Sequence, residues 1–244
     1  MTDANVTIRP CRTIAEFEEM VDLEFKVWSF GERDVVPSQM YVVAAKTGGQ
    51  VFGAFVGDTM VGFALAYPGI RDGTPYLHSH MAAVLPEYRD LGVGRMLKLA
   101  QRQEARARGI SLIEWTFDPL QTRNAHFNIC RLGAVMRRYL LDVYGSTSSP
   151  LHAGLPTDRL VAEWHLGSER VERILRREPF APAGPCERVR IALDESSPES
   201  VAWVQNAARE RFQELFAKGF VVTWFERDVA GGSYVLEPAG VMGT

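Results

Sequence analysis

Hydrophobic and polar positions along the chain switch between a two-residue and a helical period. Val6, Thr7 and Ile8, stopped by Pro10, predict a short first strand. Thr13 reads as a helix N-cap, and Glu16 three residues on completes a capping box. Ile14, Phe17, Val21 and Phe25 then recur at helical spacing. Gly31 to Ser38 reads as a charged loop ending near Pro37. Val51 to Val56 and Met60 to Ala66 flank Gly57–Asp58–Thr59 and predict a hairpin. Tyr76 to Leu85 is a third extended run, stopped by Pro86.

Gly92 to Arg108 has the clearest helical period. Val93, Met96, Leu97 and Ala100 make its apolar stripe, Arg95, Lys98 and Arg102 fall elsewhere, and Gly109 ends it. Leu112 to Phe117 predicts a strand, and Thr122 to Arg131 a short helix ending near Gly133. Val135 to Tyr144 and Leu160 to Leu166 predict two further strands, joined by a Ser-, Pro- and Gly-rich loop from Gly145 to Pro156. Beyond Gly167, four arginines (170, 173, 176, 177) crowd a short helix, and Pro179 to Pro185 reads as a linker. Ser197 caps a helix opened by Pro198 and closed by Gly219, with Val201, Val204, Ala208, Phe212 and Leu215 on one face. Val221 to Phe225 and Tyr234 to Leu236 close the chain as strands. The order predicts a mixed α/β fold: a mostly antiparallel sheet with one parallel pairing and helices on both faces.

Composition narrows the classes. The 244 residues are 46% hydrophobic and 23% charged, enough to bury a core. Lys and Arg number 27 against 30 Asp and Glu, a net charge of −3, which disfavours a standing partner in nucleic acid or an anionic membrane. Cys11, Cys130 and Cys186 are odd in number and never in a CxxC pair, which argues against a disulfide framework or zinc ribbon and fits a reducing compartment. Met1 to Pro10 has no apolar core after a basic start, and no run approaches the roughly 18 apolar residues of a membrane helix. The expectation is a cytoplasmic, soluble protein.

The segment from Val84 to Gly94 carries chemistry: a strand ends, the chain turns, and a helix starts at two glycines. Gly92 and Gly94 lack Cβ atoms where the turn is tight, leaving backbone N–H groups bare at the positive end of a helix. Such a turn holds phosphate oxygens, and Arg89 beside it is a charge-matched donor. A dinucleotide fingerprint would need glycine at Leu97, and a P-loop would need Gly-Lys-Ser/Thr. The ligand is therefore read as a pyrophosphate bound on neither of those folds.

The string Val-x-Pro-x-x-Arg-x-x-Gly-x-Gly resembles the coenzyme A loop of the GNAT (Gcn5-related) acyltransferases, matching at Arg89, Gly92 and Gly94. The resemblance spans Val6 to Leu166. It implies a GNAT-like core over residues 1–167 with a C-terminal α/β extension over 168–244. It implies that the amides of Arg89, Asp90, Leu91, Gly92, Val93, Gly94 and Arg95 bind the pyrophosphate. Ala82, Ala83 and Val84 would pair strand-like with the pantetheine arm, and Asn124 and Asn128 would hydrogen-bond coenzyme A. Lys98 or Arg123 reaches the 3′-phosphate or lies on a solvated face, the second being favoured. At position 129, where the family often has a tyrosine acid, the chain has Ile129; water, Tyr139 or Tyr144 would then protonate the thiolate. The run from Trp115 to Ala134 also resembles a branch associated with N-acylamino acid racemase and o-succinylbenzoate synthase, which implies amino acid acceptors and succinyl-CoA.

An amine acceptor must lose a proton before attack. Glu114, interrupting Leu112, Ile113, Trp115 and Phe117, is a candidate base if desolvated, or else it reaches solvent or pairs with an arginine. His78 and His80 share a strand face unless a bulge intervenes; each is a candidate base or a structural histidine, and a metal pair, the third possibility, lacks a further ligand of suitable spacing. His126 and Arg123 are candidates for an acyl carboxylate. A backbone N–H near Ala83 or Val84 is the candidate oxyanion donor. Cys130 lacks an evident activating base, and no metal-ligand set is visible. The expected activity is direct transfer of an acetyl or succinyl group from acetyl-CoA or succinyl-CoA to a primary amine of an amino acid or other small molecule. No tightly held cofactor is expected. The alternative is a non-catalytic coenzyme A-binding module. The Arg-rich helix reads as a solvated face or a homodimer contact, the former favoured.

Overall fold

A computed structural model describes residues 5–145, 154–182, 184–192 and 198–241. The expected cap at Ser197 and the middle of the 145–156 loop lie outside the described residues. The chain divides into two compact units that meet between Glu114 and Trp115, inside one strand.

The first unit contains β1 (Val6–Pro10), α1 (Ile14–Trp28), α2 (Ser38–Lys46), β2 (Gln50–Val56), β3 (Thr59–Arg71), β4 (Thr74–Val84), α3 (Val93–Ala107) and the start of β5 (Leu112–Phe117). Its strands lie in sequence order, β1 to β4 antiparallel and β4 beside β5 in parallel. The Thr13–Glu16 capping box forms and starts α1 as expected. The buried face of α1 is Phe17, Met20, Leu23 and Glu24, whereas Ile14 and Phe25 are 55% and 38% exposed. Both sets fit a helical period; the choice turns on Glu24, whose carboxylate is buried because it finds donors. Helix α2 has no counterpart in the sequence reading, since Val42 and Val43 weaken a helical signal.

One face of this sheet packs Phe55, Met60, Phe63 and Leu65 against Phe17, Met20 and Leu23 of α1 and Tyr41 of α2. The other face packs Phe52, Ala54, Val61 and Ala64 against Val93 and Leu97 of α3. The apolar stripe of α3 needs a correction. Met96 is exposed, while Lys98 and Gln101 are buried beside Val93, Leu97 and Ala105.

The second unit continues from Trp115. It contains α4 (Thr122–His126), which runs into a π-helical turn at Phe127–Arg131, then β6 (Val135–Leu140), β7 (Arg159–His165), α5 (Glu169–Leu175), β8 (Glu187–Ala192), α6 (Pro198–Ala217), β9 (Phe220–Asp228) and β10 (Gly231–Pro238). Strand order is β7-β6-β9-β10-β8, all antiparallel. Val204, Ala208, Phe212 and Leu215 form the buried face of α6, on the positions the spacing predicts. Tyr234, wholly buried, packs edge-on to Phe212 and Phe225 and donates to the Pro119 carbonyl at 2.7 Å. Strand β8 escaped the sequence reading because only Val189 and Ile191 supply its buried face. It is an edge strand, and Arg188 and Arg190 on its open face suit an edge. The Arg-rich helix is not uniformly solvated: Arg170 bonds the carbonyls of Gly133 (3.1 Å) and Thr223 and lies over the Phe180 ring.

Candidate active site

The glycine turn sits where β4 ends. Leu85 N–H bonds the Val61 carbonyl at 2.9 Å, a 3₁₀ turn covers Pro86–Tyr88, and Arg89 N–H bonds the Pro86 carbonyl at 3.2 Å. Asp90 and Gly92 both adopt left-handed backbone, with φ of 66° and 81°. The first hydrogen bond of α3 is Met96 N–H to Gly92 carbonyl at 3.0 Å. The amides of Val93, Gly94 and Arg95 thus precede it, and N-cap Gly92 has no side chain to cap them. They point along the positive end of a four-turn helix. Arg89 is exposed and leans back on the Val84 carbonyl at 3.4 Å, and Leu91 is exposed beside it.

The two glycines pose a fit test. Gly92 needs glycine for its backbone, and a Cβ there would meet no atom within 4 Å. Gly94 has ordinary helical backbone, and its Cβ would touch only Val84 Cγ2, at 3.9 Å. Neither side chain is missing for want of room in the protein. Glycine within a helix costs about 0.5–1 kcal/mol against alanine, so the open space at Gly94 suits a ligand that needs close approach to the amides.

Strand β4 carries the second part. It pairs with β5 at Leu77↔Ile113 and His78↔Glu114, and no further β4–β5 pairing occurs among the described residues, although β4 runs on to Val84. Ala82, Ala83 and Val84 therefore pair with Ala64, Phe63 and Gly62 of β3 on one edge. On the same strand the register with β3 shifts: Met81 faces Leu65 and Ser79 faces Ala66, which leaves His80 as the bulged residue. Despite the bulge the rings stay close. His80 lies 6.2 Å from His78 and 5.7 Å from Tyr67, centroid to centroid. His80 keeps an exposed edge but is crowded by protein; burial, and then His78, lower its imidazole pKa, so it is neutral at pH 7.

Glu114 is buried, and both its oxygens accept from Arg71 at 2.8 Å, with His78 Nδ1 4.0 Å away. Of the fates open to it in the sequence, the arginine pair is the one present. Arg71 is itself stacked over Tyr76. Lys98 departs from expectation more sharply. It is buried under β4, donates to Ser79 Oγ at 2.8 Å, and burial lowers its pKa to about 7. Ser79 in turn donates to Gln101 Oε1 at 3.1 Å. Lys98 is therefore neither on a solvated face nor available to a phosphate in solvent. The sequence offered no signal for this beyond the position of Lys98 between Leu97 and Gln101.

The remaining candidates belong to the second unit. Asn124 is exposed on α4, Asn128 is buried in the π-helical turn, and Ile129 beside it is wholly buried. Tyr139 donates to Asp158 Oδ2 at 2.9 Å, and burial together with that carboxylate raises its pKa, which removes it as a proton donor near neutral pH. Tyr144 is exposed and shares a hydrogen bond with Thr116 Oγ1 at 3.0 Å. Burial pushes the Cys130 thiol up to about 11, and the thiol donates to the Phe225 carbonyl, so it stays protonated. Burial, then Arg227 and Arg131, lower the His126 pKa. Arg123 is exposed.

Residues 14–128 match the family model described as the acetyltransferase (GNAT) family. The matched segment includes the glycine turn, β4 and α3. Solved structures share the fold. The ribosomal-protein-S18-alanine N-acetyltransferase of Escherichia coli superposes with a TM-score of 0.54 at 15% identity, over 67% of this chain and 95% of that one. Arabidopsis thaliana Naa50, in complex with the bisubstrate analogue CoA-Ac-MVNAL, gives 0.51 at 16% identity, over 65% and 97%. A GNAT family acetyltransferase of Elizabethkingia anophelis with acetyl-CoA bound gives 0.50 at 15%, over 66% and 98%. At such identities the likeness is one of fold. No curated protein sequence matches the chain. No helix among the described residues is long and apolar enough to cross a membrane.

Proposed function

We propose that the chain is an acyl-CoA-dependent N-acyltransferase that moves an acetyl or succinyl group to the primary amine of an amino acid or other small molecule. Residues 1–167 would be its catalytic part and 168–244 an extension to it. The observation that carries the reading is the open glycine turn at Gly92 and Gly94, whose room the protein does not need for itself. The acyl-CoA supplies an activated acyl carbon. The amides of Val93 to Arg95 and the dipole of α3 hold its diphosphate, with the exposed Arg89 as a counter-charge. The free edge of β4 from Ala82 to Val84 takes the pantetheine arm as an added strand, which aims the acyl group at the His80 bulge. A backbone N–H of this stretch would hold the developing oxyanion.

His80 is the base. It is neutral at pH 7, it has an exposed edge, and it can take the proton that an alkylammonium must lose. His78 stands beside it, with the Arg71-bound Glu114 behind His78. The amine nitrogen then forms the amide bond as the carbon–sulfur bond breaks, and the leaving sulfur takes a proton from water, since Ile129 cannot donate one. A cytoplasmic location fits three cysteines that are odd in number and never in a CxxC pair.

Ile129 also favours a second reading, a coenzyme A-binding module without catalysis. Free-thiol release from acetyl-CoA and from succinyl-CoA, across a panel of amino acids and simple amines, separates the two. Amine-dependent release supports the enzyme and identifies the acyl group. Thermal stabilisation by coenzyme A with no release on any amine supports the module.

A further inference from the structure

We infer that Glu24 is a positioning residue for the amine acceptor, fixing the segment between α1 and α2 over the face of β4 that carries His80. The inference rests on the acyltransferase reading and names a residue that the reading does not use.

Glu24 lies in the penultimate turn of α1 and exposes none of its surface. Its Oε2 accepts from Val36 N–H at 2.9 Å and its Oε1 from Tyr41 O–H at 2.5 Å. One carboxylate thus ties a helix, the connecting segment and the next helix. Both donors are neutral, so burial raises the Glu24 pKa despite the two hydrogen bonds. Packing alone would not ask for this group: an apolar side chain of similar volume fills such a site at least as well as a charge. Tyr41, wholly buried, packs against Phe17 and Phe63, so the anchor itself is rigid.

The tied segment leads to the candidate base. Ser29 ends α1 in left-handed backbone at φ 52°, and Trp28 and Phe30 stack at 5.4 Å on either side of it. Trp28 meets Phe63 of β3 edge-on at 6.2 Å. Trp28, Val36, Tyr67 and Met81 pack against one cluster, and Tyr67 of that cluster faces the His80 ring. Releasing the Val36 amide would free residues 29–37 to move across the surface beside His80, while β4 and the glycine turn, held by their own hydrogen bonds, stay in place.

The test combines hydrogen exchange with steady-state kinetics on the full chain. Glu24→Leu should speed amide exchange in residues 29–37 and raise the amine KM over tenfold, about 1.4 kcal/mol, with kcat within about threefold and coenzyme A affinity within about twofold. Glu24→Gln can accept from Val36 through Oε1 and donate to the Tyr41 oxygen, so it should restore slow exchange and bring the amine KM to within about threefold of wild type. If Glu24→Leu does not fold, Tyr41→Phe carries the test, with the same direction and a smaller rise. An active wild type whose amine KM and 29–37 exchange are unmoved in these variants overturns the inference alone, as does a parallel loss of coenzyme A affinity. A wild type that releases no thiol with any amine overturns the reading beneath it.

Discussion

Gly94→Ala separates what the ligand needs from what the fold needs. Gly94 has right-handed helical backbone, and the added methyl would touch only Val84 Cγ2 at 3.9 Å, an ordinary contact. Nothing in the protein must move. Replacing glycine by alanine in a helix removes a backbone entropy cost of about 0.5–1 kcal/mol. For a chain of this size that raises the melting temperature by about 1–4 °C. The same methyl stands in the concavity where the first amides of α3 would meet phosphate oxygens. Pushing the diphosphate off two short hydrogen bonds costs about 1.4 kcal/mol or more, a tenfold weaker dissociation constant. The variant should therefore be more stable and bind coenzyme A less well, a pair of opposite signs read by calorimetric unfolding and by titration calorimetry. A stabilised variant with unchanged affinity would refute the reasoning. A destabilised variant would show that the glycine serves packing.

Gly92→Asp adds a carboxylate at the same turn on left-handed backbone, so coenzyme A affinity should fall by more than tenfold and recover partly in Gly92→Asn, by titration calorimetry. Because the His80 pKa lies below its ordinary value near 6.5, kcat/KM should be flat above pH 7 and fall on an acid limb below about 6.5 as the base protonates; His80→Gln should lose both rate and limb. A limb unchanged in that variant would assign the base elsewhere. Lys98 has a folded pKa lowered to about 7, well under its unfolded value of roughly 10.4, so the unfolded chain binds the extra proton between those limits and stability rises with pH across that window, by up to about 1.4 kcal/mol per unit. Lys98→Met should flatten that slope in denaturant titrations at pH 7 to 10.

Most of the first unit was legible because its signals are local. The capping box at Thr13, the hairpin about Gly57 and the glycine turn each consist of residues adjacent in sequence, and each formed as expected. The features missed are set by contacts distant in sequence. Lys98 read as a polar-face residue until Ser79, 19 positions away, provides its partner, and Glu24 gave no signal because its partner Tyr41 lies 17 positions on. The bulge at His80 depends on register with β3, which period alone does not fix. Tyr67 comes beside the two histidines through that same pairing, so the candidate base was visible as a residue and invisible as a site. Arg71, which engages Glu114, gave no signal because its partner lies 43 positions on. Strand β8 failed for the opposite reason: six residues with two buried apolar positions carry too little pattern to stand out.

The central claim is that backbone amides at the start of α3 grip a diphosphate. Titration calorimetry of the wild-type chain with coenzyme A, 3′-dephospho-coenzyme A and pantetheine addresses it without any assumption about the acceptor. The first two share the diphosphate and should bind with dissociation constants within about tenfold of each other, while pantetheine, which lacks it, should bind at least a hundredfold more weakly, about 2.7 kcal/mol. Pantetheine binding as tightly as coenzyme A would contradict the account.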